Sequence, residues 1–128
     1  MTEKLIMVPG TLFDKNLFKH QLQCLNSKAE CYVANNSSSD NLEEVAKNIL
    51  DKYEGKLSVL GHSYGGIIAF ELFRQAPERI GKLILLNTTH KVPNKQTKIL
   101  FQKFIGMAFL GEFNKITNDN LIDIMLTP

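Results

Sequence analysis

Between residues 5 and 86, short apolar runs alternate with longer stretches whose apolar positions recur every three or four residues. Leu5-Ile6-Met7-Val8 reads as a buried strand, stopped by Pro9-Gly10. From Asn16 to Leu25, the spacing of Leu17, Phe18, Leu22 and Leu25 predicts a helix. Cys31-Tyr32-Val33-Ala34 is a second short strand, followed by a polar loop, Asn35 to Asp40. Asp40 is the expected N-cap of the next helix, with Glu43 completing a capping box. Leu42, Val45, Ala46, Ile49 and Leu50 form that helix's apolar face, and Gly55 is expected to end it. Leu57-Ser58-Val59-Leu60 is the third strand. Ile67 to Gln75 is helical, with Pro77 as its stop, and Leu83-Ile84-Leu85-Leu86 is the fourth strand.

Strands that are apolar throughout, separated by helices, are the mark of βαβ crossovers and of a parallel sheet covered on both faces. The fold class expected is α/β: three α/β/α layers around a parallel sheet of about four strands. After Asn87 the pattern changes. Thr88 to Lys98 is polar and contains Pro93, Lys98 to Leu110 is strongly apolar, and a short helix is predicted from about Asn118 to Leu126. These residues suggest helices placed above the sheet, so the expected division is 1–92 for the sheet-bearing core and 93–128 for a helical addition. The apolar face of Ile99 to Leu110 reads as a packing face, with an amphipathic membrane-surface helix as the alternative.

Composition narrows the function classes. With 128 residues, 44% hydrophobic and 22% charged, the chain can bury the core of one modest globular domain. A net charge of +2 on scattered lysines gives no footprint for nucleic acid. Cys24 and Cys31 lack metal-ligand or CxxC spacing and are expected to be reduced core residues. The apolar run at the N-terminus is too short for a signal-peptide core, and no stretch is long enough to span a membrane, so a cytoplasmic protein is expected. No cofactor is implied: metal-binding clusters are missing, and Gly61 to Gly66 lacks the G-x-G-x-x-G spacing of a dinucleotide loop.

The candidate chemistry lies at Gly61-His62-Ser63-Tyr64-Gly65, a G-x-S-x-G motif followed by Gly66. A buried strand runs into it and a helix leaves it, which is the setting of a nucleophile elbow. Such a turn lifts the serine hydroxyl to the C-terminal edge of the sheet. The flanking glycines fit where side chains would collide with the adjoining strand and helix. The dipole of the following helix favours developing negative charge. A serine in a glycine-rich turn without chemistry is the competing reading.

On these residues the sequence resembles the α/β-hydrolase superfamily, in particular small carboxylesterases with a helical cap. Leu5 to Val8 resembles the strand before the oxyanion loop, ending here in Pro9-Gly10. Leu57 to Gly66 resembles the strand and elbow, Lys82 to Asn87 the next strand, and Thr97 to Pro128 the start of the cap. The resemblance implies an incomplete α/β-hydrolase fold that acts on a small-molecule carboxylic ester or thioester with an apolar acyl group. Ser63 would be the nucleophile. The backbone N–H of Tyr64 would be one oxyanion donor, and that of Thr11, or second that of Leu12, the other.

In this family the acid and then the histidine of the triad follow the serine in the chain. The three histidines offer no evident base. His20 reads as a surface residue of the first helix. His62 is expected to point away from the site and pack or hydrogen-bond under the turn. His90 follows the fourth strand, but no acidic residue between Glu78 and His90 could orient it there, and Asn87 stands where some members place an acid. Asp119 and Asp123 read as solvated cap residues. The expectation is a truncated hydrolase lacking its triad acid and histidine. The alternatives are a non-catalytic protein keeping the half-fold for binding, or an acyltransferase of the same fold. By analogy the strands lie in the order second, first, third, fourth, leaving Leu83 to Leu86 as an apolar edge.

Overall fold

The computed structural model describes residues 2–116. The helix expected from about Asn118 to Leu126, with Asp119 and Asp123, lies outside the described residues. The chain divides into two compact units, Met1–His90 and Lys91–Pro128.

The first unit is built on four parallel strands: β1 (Glu3–Val8), β2 (Ala29–Val33), β3 (Leu57–His62) and β4 (Ile80–Leu86). Their order across the sheet is β2-β1-β3-β4, as the sequence suggested. Each strand is longer than its apolar run, because pairing continues into polar residues. Lys4 faces Glu30 across β1 and β2, and Ser58 faces Lys82 across β3 and β4. The register between β3 and β4 slips at Leu57 and Ser58, which pair with Ile80 and Lys82 and leave Gly81 as the extra residue.

Helices cover both faces: α1 (Lys19–Leu25), α2 (Leu42–Lys52) and α3 (Tyr64–Gln75). The period-two alternation of β1 sends Ile6 and Val8 to one side and Leu5 and Met7 to the other. Ile6 and Val8 join Val59 and the apolar faces of α2 and α3: Val45, Ala46, Ile49, Ile68, Ala69 and Leu72. Leu5 and Met7 pack with Leu60 and Phe18, under Leu17, Leu22 and Leu25. The unit is thus a three-layer α/β/α arrangement.

Several local expectations change. The first helical segment opens as a 3-10 turn, Lys15–Phe18, with Asp14 accepting from the Asn16 backbone N–H. Asn41, not Asp40, caps α2: its side chain accepts from the Glu44 N–H at 3.1 Å. Ser39 Oγ accepts from the Asn41 N–H and donates to Glu44, so the capping contacts sit one residue later than the sequence reading. Asn and Asp cap about equally well, and the sequence alone does not choose between neighbours. Gly55 has φ +81, but α2 ends at Lys52 with Tyr53 as its cap, so the glycine turns the chain just beyond. Its role at the helix end is taken by Arg79. That guanidinium donates to the Leu50 and Gly55 carbonyls, both at 3.0 Å, and to the Tyr53 carbonyl. Both cysteines are free. Cys31 is half-buried on β2, but Cys24 is exposed, because α1 turns Leu22 and Leu25 inward and leaves Cys24 outside.

On β4, Ile84, Leu85 and Leu86 are all exposed, and the strand's outer edge is unpaired among the described residues. In the second unit, α4 (Lys95–Phe109) is followed by a turn at Gly111 and by α5 (Phe113–Ile116). Asn94 caps α4 by accepting from the Thr97 N–H at 2.8 Å.

Candidate active site

The sheet order itself marks a place. From β1 the chain moves one way to β2 and then back past β1 to β3, so the loops leaving β1 and β3 diverge at the C-terminal edge. Open α/β sheets bind ligands in such a crevice. The loop after β1 carries Gly10, Thr11 and Leu12; the turn after β3 carries Ser63.

Ser63 stands at the corner between β3 and α3, with φ 55 and ψ −121. An L-residue rarely adopts this conformation, and it survives only where the surroundings enforce it. The enforcement is visible. The Ser63 N–H donates to the Leu86 carbonyl at 3.0 Å, and its carbonyl accepts from the Gly66 N–H at 2.9 Å and from Thr88 Oγ1 at 2.7 Å. Both backbone groups are used, while Oγ makes no hydrogen bond among the described residues.

The glycines allow this corner to close. A Cβ on Gly65 would lie 2.0 Å from the Val8 carbonyl oxygen, and one on Gly61 would lie 2.4 Å from the Gly65 oxygen. At Gly66 it would lie 2.4 Å from Thr88 Oγ1. Strand β1 and the elbow therefore meet backbone to backbone, Gly66 leaves room for the Thr88 side chain just beyond β4, and α3 begins at Tyr64, three residues ahead of the predicted start.

The loop after β1 also comes close, though less so. A Cβ on Gly10 would lie 3.0 Å from the Ser63 Cβ. The Phe13 N–H donates to the Gly10 carbonyl at 3.1 Å, closing a turn through Thr11 and Leu12, both exposed. Leu12 has φ 67. The loop after β2 ties this turn down: Asn36 Nδ2 donates to the Pro9 and Gly10 carbonyls at 2.9 and 2.8 Å. Leu12, Ser63 and Asn87 are the non-glycine residues with positive φ among those described. One follows β1, one β3 and one β4, so the backbone strain gathers at a single edge of the sheet.

The sequence-predicted donors are thus placed as follows. Tyr64 is the first residue of α3, and its N–H lies at the positive end of a twelve-residue helix. Burial pushes its phenol pKa up. Thr11 and Leu12 form the tip of the turn that follows Gly10. The remaining histidines do not join them. His20 is exposed on α1, 3.7 Å from Cys24 Sγ. His90 is exposed, and its ring makes no hydrogen bond among the described residues. His62 is half-buried and packs edge-on against Phe13, with ring centroids 5.8 Å apart. Its Nδ1 is buried near Gly10 without a hydrogen-bond partner among the described residues, so of the two expected contacts, packing or a hydrogen bond, the structure shows the packing. No carboxylate–histidine pair is therefore assembled at Ser63 among the described residues. Two open clefts elsewhere, one along Glu43 and Arg74 and one along Tyr32 and Tyr53, contain none of these side chains. No group of three or more metal-ligating side chains occurs among the described residues.

The sequence profile of the alpha/beta hydrolase fold family matches residues 19–123. The chain belongs to that family. Over 50 residues it is 42% identical to a pimeloyl-[acyl-carrier protein] methyl ester esterase of Nitrosomonas europaea, a match covering 39% of this chain and 20% of the esterase. Over 61 residues it is 39% identical to a 2-hydroxy-6-oxononadienedioate/2-hydroxy-6-oxononatrienedioate hydrolase of Pseudomonas putida, covering 47% of this chain and 21% of that enzyme. Among solved structures, it is similar to an extracellular alpha/beta-hydrolase from a Paenibacillus species, with TM-score 0.63 and 16% identity over 83% of this chain. A thermophilic esterase is similar over 90% of this chain, with TM-score 0.53 and 19% identity. The chain spans about half of each of these two structures, 52% and 55%. No helix among the described residues is long and apolar enough to cross a membrane.

Proposed function

We propose that Ser63 is the nucleophile of an acyl-transfer site acting on a carboxylic ester or thioester with an apolar acyl group. The observation that carries this reading is the strained corner at Ser63, whose hydroxyl has no structural partner while its backbone is fully engaged. In the proposed step, Oγ bonds to the carbonyl carbon and its proton passes to a base. The oxyanion forms against the N–H of Tyr64 and that of Thr11 or Leu12. Collapse expels the alkoxide or thiolate, which takes up a proton, and water then releases the acid. Each oxyanion donor is worth roughly a hundred- to a thousand-fold in turnover. Both named relatives are hydrolases by name, which favours water as the acceptor.

Among the described residues no histidine is positioned to take the proton. Losing the base of a serine triad costs on the order of a million-fold, with roughly a thousand- to ten-thousand-fold over water retained by the rest of the site. The reading therefore assigns base and acid to polypeptide outside the described residues. The same observation favours a second reading, a binding protein that keeps the elbow without turnover.

The experiment is incubation with p-nitrophenyl acetate, followed by mass spectrometry of the peptide containing Ser63, with Ser63→Ala as control. Slow acetylation at Ser63, with nitrophenol release that Ser63→Ala abolishes, is the expected result. Folded protein that never carries acetyl on Ser63 refutes the nucleophile role and leaves the binding reading.

A further inference from the structure

Helix α4 exposes a stripe of large apolar side chains that nothing described in this structure covers. Phe101, Ile105 and Phe109 follow one another at four-residue intervals and are 51%, 57% and 89% exposed, with Leu110 beyond them at 78%. Phe101, Ile105 and Phe109 together present roughly 400 Å² of apolar surface, within the range of the largest patch that a soluble monomer ordinarily shows, which is often functional. Thr97, Leu100, Phe104 and Met107 are less exposed and occupy the other side of the helix.

The charge on this helix has one sign. From Lys95 to Phe109 there are three lysines and no acidic residue. Lys95, Lys98 and Lys103 are exposed and form no ion pair among the described residues. Lys98 lies three residues before Phe101, on the same side of the helix as the stripe.

This combination selects among occupants. A dry protein interface would have to desolvate unpaired ammonium groups, and lysine is depleted from such interfaces for that reason. A second copy would bring like charges together. At an anionic bilayer surface, phenyl and aliphatic groups enter the acyl boundary while lysine stems reach outward to the headgroups. At fifteen residues α4 is too short to span, so it would lie in the plane of the interface.

We propose that α4 is a docking surface for anionic membrane lipid. Each lysine near such a surface strengthens binding roughly fivefold, so the three together contribute on the order of a hundredfold.

The chain contains no tryptophan, so Phe109→Trp gives a fluorescence reporter without background. Phe73→Trp, on an exposed position of α3, is the reference. With mixed phosphatidylcholine–phosphatidylglycerol vesicles, the Phe109→Trp emission is expected to shift to the blue while that of Phe73→Trp stays put. Affinity should fall on the order of a hundredfold on pure phosphatidylcholine, and equally when Lys95, Lys98 and Lys103 are all changed to Gln. Phe101→Ser with Ile105→Ser, on exposed positions whose loss circular dichroism can show to leave the fold intact, should abolish the shift. Three results would overturn the proposal: no shift with any vesicle, equal shifts from both reporters, or a shift without lipid that grows with protein concentration. The last would give the surface to a second copy. Binding to an acidic protein but not to anionic vesicles would also overturn it.

Discussion

Replacing Ser63 by glycine should make the protein more stable, although it removes the proposed nucleophile. At φ 55 and ψ −121 a side chain costs on the order of 1–3 kcal/mol in backbone strain, and glycine does not incur that cost. Glycine also adds about 0.5–1 kcal/mol of chain entropy to the unfolded state, which opposes the gain. The net is about 1 kcal/mol in favour of Ser63→Gly over Ser63→Ala, because alanine keeps the strain and loses the hydroxyl equally. For a chain of this size that corresponds to roughly 3–5 °C in melting temperature. Comparing Ser63→Ala with Ser63→Gly isolates the backbone term, since neither variant has Oγ. Thermal unfolding followed by circular dichroism at 222 nm is a sufficient assay, with urea titration as a check on the slope. If Ser63→Gly melts at or below Ser63→Ala, the corner is not strained, and the argument that folding energy is stored at the site for function fails.

Three further substitutions probe the glycine contacts and the buried carboxylate. Gly65→Ala places a methyl 2.0 Å from the Val8 carbonyl oxygen, so β1 and α3 must part, at a cost of about 3 kcal/mol or more. Gly106→Ala, which meets open space within α4, should instead stabilise by about 0.5–1 kcal/mol, and equal effects in urea melts would refute the packing argument. The buried carboxylate of Glu71 accepts from Arg74 at 2.7 and 2.8 Å and from Gln75 at 2.8 Å, and the hydrogen bond from Arg74 above all holds its pKa below the usual range. A carboxyl depressed on folding contributes stability above its unfolded pKa, about 4, and loses it as pH falls through the folded value. Glu71→Gln should therefore be less stable than the parent at pH 7, with a gap that closes in acid; a gap independent of pH would contradict the assignment.

What was legible in the sequence was what short stretches of chain determine by themselves. Four apolar runs separated by helical periods sufficed for a parallel three-layer sheet. Gly61 to Gly66 sufficed for the elbow, because Gly65 meets the backbone of β1 and Gly66 the Thr88 side chain at distances that any Cβ would block. The features that escaped depend on residues distant in the chain. Asn36 looked like one polar loop residue among several, yet it fastens Pro9 and Gly10 from 27 and 26 residues away. Its one available signal was position: a loop leaving β2 reaches the same sheet edge as the loop leaving β1. Arg79 gave no sign that it closes the end of α2, because the carbonyls it binds, those of Leu50, Tyr53 and Gly55, lie 24 to 29 residues earlier. The strain at Leu12 is equally silent, since leucine has no preference for positive φ and the turn imposes it. The G-x-S-x-G motif places Ser63 at the sheet edge, and the oxyanion hole proposed above would also depend on the Thr11–Leu12 turn. That turn leaves from Gly10, which lies against Ser63 and whose carbonyl Asn36 holds. A chain with an intact motif and no Asn36 would keep the elbow and lose the register of the turn that faces it.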